Sequence, residues 1–177
     1  MEAVIVEEEF TWREVNLPSA VTEPELERDT GLRRRDIPRD ILIAIDHDRN
    51  SRQAFEWALI HLCRPTDTIH LVHAVSSVRN EELYLATQAL MEKLSFEAAQ
   101  AGVGATVARI VKGDAGKVIC WEAERLLPAA VVMGSKGKSI VRSVLRGSVS
   151  EYCFKHCKVS PVVIVPEKKL EQETTSR

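Results

Sequence analysis

The 177-residue sequence has almost no net charge: 24 lysines and arginines stand against 26 aspartates and glutamates, a formal balance of -2. That leaves no general electrostatic reason to expect nucleic acid or a membrane surface as a partner. No apolar run approaches the roughly 20 residues that a membrane-spanning helix needs. The opening Met-Glu-Ala-Val-Ile-Val-Glu-Glu-Glu is acidic where a secretion signal is basic, and Glu2 excludes N-myristoylation. The expectation is therefore a cytoplasmic or nuclear protein. Cysteine is scarce: Cys63, Cys120, Cys153 and Cys157 without a secretion signal read as free thiols rather than a disulfide framework. Cys153, His156 and Cys157 would share a helix face, but a fourth metal ligand is missing, so small side chains packing a helix is the better reading.

What is present suits one soluble domain with length left for tails: 45% hydrophobic and 28% charged residues. Residues 1–38 stand apart, rich in Glu and Arg, with Pro18, Pro24 and Pro38 and no sustained period. They read as a mostly disordered acidic extension. Within it, Phe10, Trp12, Val15 and Leu17 alternate as an edge strand or a docking peptide does. Arg33-Arg34-Arg35 reads as a solvated linker rather than a localisation patch. Residues 39–166 form the folded domain, and 167–177 a charged tail.

The apolar run Ile41-Leu42-Ile43-Ala44-Ile45 has the composition of a strand covered on both faces, and it ends at Asp46. Helical spacing of Ala54, Phe55, Ala58, Leu59 and Leu62 follows over about 51–63. Strands are expected at 68–75, 105–111, 129–133 and 162–165, and helices at about 81–101, 115–127 and 149–157. Alternating strands and helices predict an α/β fold with a doubly wound parallel sheet and helices on both faces. In such sheets ligands bind beyond the carboxyl ends of strands where the order reverses. Two features already lie at strand ends, Asp46 after the first strand and a glycine-rich loop after the fourth. A 3-2-1-4-5 strand order makes those strands neighbours.

The loop is Met133 to Ser150, MGSKGKSIVRSVLRGSVS. It follows the buried-strand run Ala129 to Met133 and leads into a helix opened by the capping box Ser148 and Glu151. Strand, glycine-rich loop and helix N-terminus together make an anion site, because unpaired N–H groups and the helix dipole face one ligand. The commoner nucleotide loops fail on spacing. Gly137-Lys138-Ser139 could end a Walker A loop, but its first glycine falls on Val132. No G-x-G-x-x-G follows the first strand, where Asp46-His47-Asp48 stands. What remains is Gly134, two residues, Gly137, nine residues, Gly147 and Ser148.

That pattern resembles the ATP-binding motif of the universal stress protein family at every position. The resemblance covers about Arg39 to Pro166: the strand ending in Asp46, the LVHAV of the second strand, Gly113-Asp114, VVMGSKGKS, and GSVSEY before SPVVIVP stand in the family's order. REVNLPS and PELERDTG look further like its plant desiccation-responsive branch. One departure is Ala129, where the family often has an Asp. The resemblance implies a three-layer, five-stranded adenine nucleotide alpha hydrolase-like fold, and a ligand that is ATP or AMP, with Mg or Mn accompanying ATP. Carried over residue by residue, Asp46 contacts adenine or ribose and Ala74 lines the adenine. Gly134, Gly137, Gly147 and Ser148 hold ribose and phosphates, with Met133, Val149 and Ser150 beside them. Asp46 has a second reading as a helix N-cap, and Ser148 as a capping residue alone. Lys138, Arg142 and Arg146 recur every four residues; they read as a solvated face or, at Lys138, as a phosphate contact that favours ATP over AMP.

No convincing catalytic apparatus is visible. Asp46, Asp48, His47 and His73 are candidates, but His73 lies inside a strand and reads as a buried, hydrogen-bonded core histidine. The resemblance implies a regulator in a desiccation-type stress response with at most slow ATP hydrolysis, acting on a downstream protein partner. It also implies a homodimer through Val162-Val163-Ile164-Val165, an apolar strand of the kind that proteins keep covered. The other functional classes are a dimeric scaffold or chaperone-like protein independent of nucleotide, and a slow ATPase.

Overall fold

The computed structural model describes residues 5–6, 10–17, 37–135 and 149–167. The elements run β1 (Ile5–Val6), β2 (Thr11–Val15), β3 (Asp40–Ala44), α1 (Arg49–His61), β4 (Thr68–Val75), α2 (Glu81–Gln100), β5 (Ala105–Lys112), α3 (Ala115–Leu126), β6 (Ala130–Gly134), α4 (Val149–His156) and β7 (Val162–Val165). Each core strand and helix expected from hydrophobic period is present, with ends displaced by a few residues at most. Gly137, Lys138, Arg142, Arg146, Gly147 and Ser148 lie outside the described residues, as do Arg33-Arg34-Arg35 and the end of the tail.

One sheet carries the order β1-β2-β5-β4-β3-β6-β7. Its five strands from β5 to β7 are parallel and reproduce the 3-2-1-4-5 order. Val131, Val132, Ile41, Leu42 and Ile43 are all fully buried, which is why β3 and β6 read as unbroken apolar runs rather than alternating ones. One core, around Phe55, Met91, Leu94, Ile43 and Ile110, sits between the sheet and α1 and α2. The other, around Leu42, Val131, Val118, Ile119 and Cys153, sits between the sheet and α3 and α4. The result is three layers.

Two antiparallel strands lengthen the parallel array. β2 pairs with β5 from Thr11↔Lys112 to Val15↔Ala108, and β1 pairs with β2. The alternation at Phe10, Trp12, Val15 and Leu17 thus belongs to β2 and the residues flanking it, a strand that extends the sheet and has β1 outside it at the edge. Phe10 and Trp12 pack toward α3, while Val15 and Leu17 pack toward α2. Without β2, β5 would present an open edge of unpaired amides and carbonyls.

Candidate functional site

β3, β4 and β6 end side by side, and a cleft opens beyond their carboxyl ends. The face of the sheet toward α3 and α4 forms its floor. Alternation puts Ala44, Val72, Ala74 and Met133 on that face. Ala44 and Ala74 are small where neighbouring strands carry branched side chains, so space remains between sheet and helices. α3 supplies Ala115, its first residue, and Ile119 one turn on; α4 supplies Val149 and Ser150. Ile45, Asp46, Ser51 and Gly134 complete the described lining.

The loop after β3 is held by a compact set of hydrogen bonds. The Asp48 N–H donates to Asp46 Oδ1 at 2.9 Å, and the Asp46 N–H donates to Ser51 Oγ at 3.1 Å. Ser51 Oγ in turn lies 3.0 Å from the carbonyl oxygens of both Asp46 and Asp48. The N-cap of α1 is Asp48, whose side chain accepts the Asn50 N–H. This corrects the capping alternative for Asp46: the helix start is satisfied two residues later, and the Asp46 carboxylate keeps a second oxygen for the cleft. Asp46 is the one ionisable side chain among the described lining residues.

Gly134 has a packing reason for being glycine. A Cβ there would lie 2.8 Å from the Asn50 carbonyl oxygen, on the α1 side of the sheet. Its φ is not in the left-handed region, unlike that of Gly113 at +152°. Gly134 lets the first turn of α1 sit directly on the end of β6. Across the cleft, Gly116 does the same for α3 and α4, since a Cβ on it would meet the Tyr152 ring at 2.6 Å. Both helix starts are thereby drawn toward the strand ends.

Asp46, Ala74, Met133, Gly134, Val149 and Ser150 are thus gathered around one cleft from four separate segments. Ser150 Oγ donates to the Ser135 carbonyl at 3.4 Å, tying α4 to the end of β6. Sequence reasoning missed Ala44, Ile45, Ser51, Val72, Ala115 and Ile119. Ala44 was legible as the one small residue in the first apolar run; Ala115 and Ile119 enter only because α3 packs across the sheet. His73 is buried, and its Nδ1 lies 2.8 Å from the Ile45 carbonyl oxygen. The ring of His47 meets it edge-on at 5.3 Å and bonds Thr87 Oγ1 at 3.3 Å through Nε2. Neither histidine lines the cleft.

A family model matches residues 38–166, well over half of the chain, and describes the universal stress protein family. The chain belongs to the universal stress protein family. Universal stress protein PHOS32 of Arabidopsis thaliana is 29% identical over 156 residues, covering 72% of this chain and 64% of that relative. Universal stress protein PHOS34 of the same plant is 28% identical over 160 residues, covering 72% and 61%. The chain spans somewhat less than two thirds of the length of these curated relatives. Among solved structures, a universal stress protein family protein from Arabidopsis thaliana with AMP bound is similar at a TM-score of 0.57 and 25% identity, covering 78% of this chain and 98% of that one. Universal stress protein UspA from Lactobacillus plantarum is similar at a TM-score of 0.62 and 18% identity, covering 72% and 97%, which speaks for the fold alone. The universal stress protein domain thus coincides with the parallel part of the sheet, and β1 and β2 lie outside the matched residues.

Proposed function

We propose that this universal stress protein binds an adenine nucleotide, ATP or AMP, in the cleft at the ends of β3, β4 and β6. The observation that carries the reading is the convergence of Asp46, Ala74, Met133, Gly134, Val149 and Ser150 on that one cleft. Its walls are apolar and its floor has two alanines, the shape that a flat base requires, with a single carboxylate placed to accept ribose hydroxyls. The amino end of α3 meets the cleft at Ala115, where helix N–H groups and the dipole favour negative charge. The relative from Arabidopsis thaliana holds AMP, and another universal stress protein structure is a complex with cAMP. Gly137, Lys138, Gly147 and Ser148 complete the proposed phosphate side. Mg or Mn would come with ATP on its phosphates; among the described residues no group of three His, Cys, Asp or Glu side chains offers a metal its own site.

Bound nucleotide would set partner choice in a desiccation-type stress response, in the cytoplasm or nucleus. No helix among the described residues is long and apolar enough to cross a membrane. The same reading pairs two copies through β7, whose outer side has no neighbouring strand among the described residues and whose Ile164 is 38% exposed. Mass spectrometry of nucleotide co-purifying with the protein, followed by equilibrium dialysis, tests the ligand. Retention of an adenine nucleotide is expected, and no binding at millimolar concentration rejects the reading. Sedimentation at micromolar concentration should give a dimer, and a monomer mass would reject pairing through β7.

A further inference from the structure

The strand before the universal stress protein domain is fastened to one wall of the cleft at three points. Phe10 lies over Gly113: a Cβ on that glycine would be 3.1 Å from Phe10 Cε1 and 3.0 Å from Val118 Cγ2. Gly113 is the pivot between β5 and α3, with φ +152° and its N–H donating to the Val75 carbonyl at 3.0 Å. The Phe10 ring also packs on Trp121 of α3 at 5.0 Å between centroids. Two residues on, Trp12 is 6% exposed and carries the Arg109 guanidinium over its ring at 4.2 Å. Arg109 lies 3.6 Å from Glu122 of α3, a carboxylate buried to 1% exposure that Arg125 also holds. The first turn and a half of this same helix bears Ala115 and Ile119, which line the cleft.

Gly113 leaves the direction of α3 to its packing, while Asp114 caps its first turn by accepting the Lys117 N–H at 3.2 Å. α3 packs on the sheet through Val118, Ile119 and Ala123, and it is held from the side by an aromatic ring that occupies the space a Cβ would fill and by a buried ion pair beneath a second aromatic ring. We propose that Phe10 and Trp12 are positioning residues for the nucleotide cleft: they hold α3 against the ends of β3 and β4, and so set nucleotide affinity without touching the nucleotide. The proposal rests on the nucleotide-binding reading for its affinity readout and on the packing alone for its effect on α3.

The test compares the full-length protein with Phe10→Ala, Phe10→Tyr and Leu94→Val. Leu94→Val thins the core on the α2 face, far from α3, and serves as a control for lost stability. Hydrogen exchange of the amides of residues 115–119 in nucleotide-free protein reports on α3. Calorimetry with AMP and with ATP reports on the cleft. Phe10→Ala should raise exchange at 115–119 and weaken both nucleotides by about three- to thirtyfold, the range of long-range coupling energies. Phe10→Tyr, which keeps the ring, should restore both, and Leu94→Val should lower the melting temperature with affinity unchanged. Unaltered exchange at 115–119 in folded Phe10→Ala overturns the proposal, whatever the nucleotide does. Altered exchange with unaltered affinity overturns its functional half, and a parent protein that binds neither nucleotide overturns the cleft reading instead. If Phe10→Ala does not fold, Trp12→Leu, which removes the ring beneath Arg109, carries the same comparison.

Discussion

Gly134 at the end of β6 faces Asn50 in the first turn of α1 so closely that a Cβ would stand 2.8 Å from the Asn50 carbonyl oxygen and 2.9 Å from its carbon. The neighbour is backbone and cannot swing aside. Gly134→Ala must therefore push α1 off the sheet, at a cost of about 1–3 kcal/mol. The melting temperature should fall by about 2–4 °C for each of those kcal/mol in a chain of this size. A melting temperature within 1 °C of the parent would show that α1 and β6 are not in contact as described.

Asp46 does two things that substitution separates. Its Oδ1 accepts the Asp48 N–H at 2.9 Å, and its charge faces the cleft. Asp46→Asn keeps an acceptor oxygen for the turn and removes the charge. Its stability should match the parent, while AMP affinity falls about tenfold or more, as expected for a lost hydrogen bond to a charged group. Asp46→Ala should lose the same affinity and about 1 kcal/mol of stability besides. Equal nucleotide affinity in Asp46→Asn and the parent would remove the carboxylate from the site.

Ala74 lies on the cleft floor beside Val72 and Ala44. Ala74→Leu fills space that the fold leaves open, so the melting temperature should change by no more than about 2 °C while adenine nucleotide binding is lost in calorimetry. The same substitution in the packed part of the core would cost about 1–3 kcal/mol from overpacking. Retained affinity would place the base elsewhere.

The Cys63 thiol is pushed up to about 11, first by burial and then by the nearby Asp67 carboxylate. A thiol raised in the folded state stays protonated after the unfolded chain has begun to ionise. Its contribution to stability is complete below the unfolded value near 9 and is lost as pH rises toward 11. Cys63 should therefore alkylate slowly with iodoacetamide at pH 8 in the native protein, and rapidly in urea. Peptide mapping that finds it fully alkylated in native protein within minutes would contradict the burial.

Composition and period were enough for the parallel core of this universal stress protein. Runs such as Ile41–Ile45 and Val131–Met133 have the composition of strands covered on both faces, where that much branched apolar surface leaves water. The spacing of Gly134, Gly137, Gly147 and Ser148, with the segments around it, resembled the family's pattern. Asp46 and Ala74 became legible through that resemblance, since an aspartate after a strand serves equally well as a cap. Tertiary packing decided the rest. Which aspartate caps α1 depends on where the chain turns, and it is Asp48. Gly134 is glycine because α1 lies against it, a contact between segments more than 80 residues apart that no local pattern encodes. Ala115 and Ile119 reach the cleft because α3 crosses the sheet at an angle set partly by Phe10 and Trp12, from a segment whose composition marked it as an extension. Local sequence determines what each element is, through period and turn chemistry; which faces meet depends on complementary shape across the whole fold.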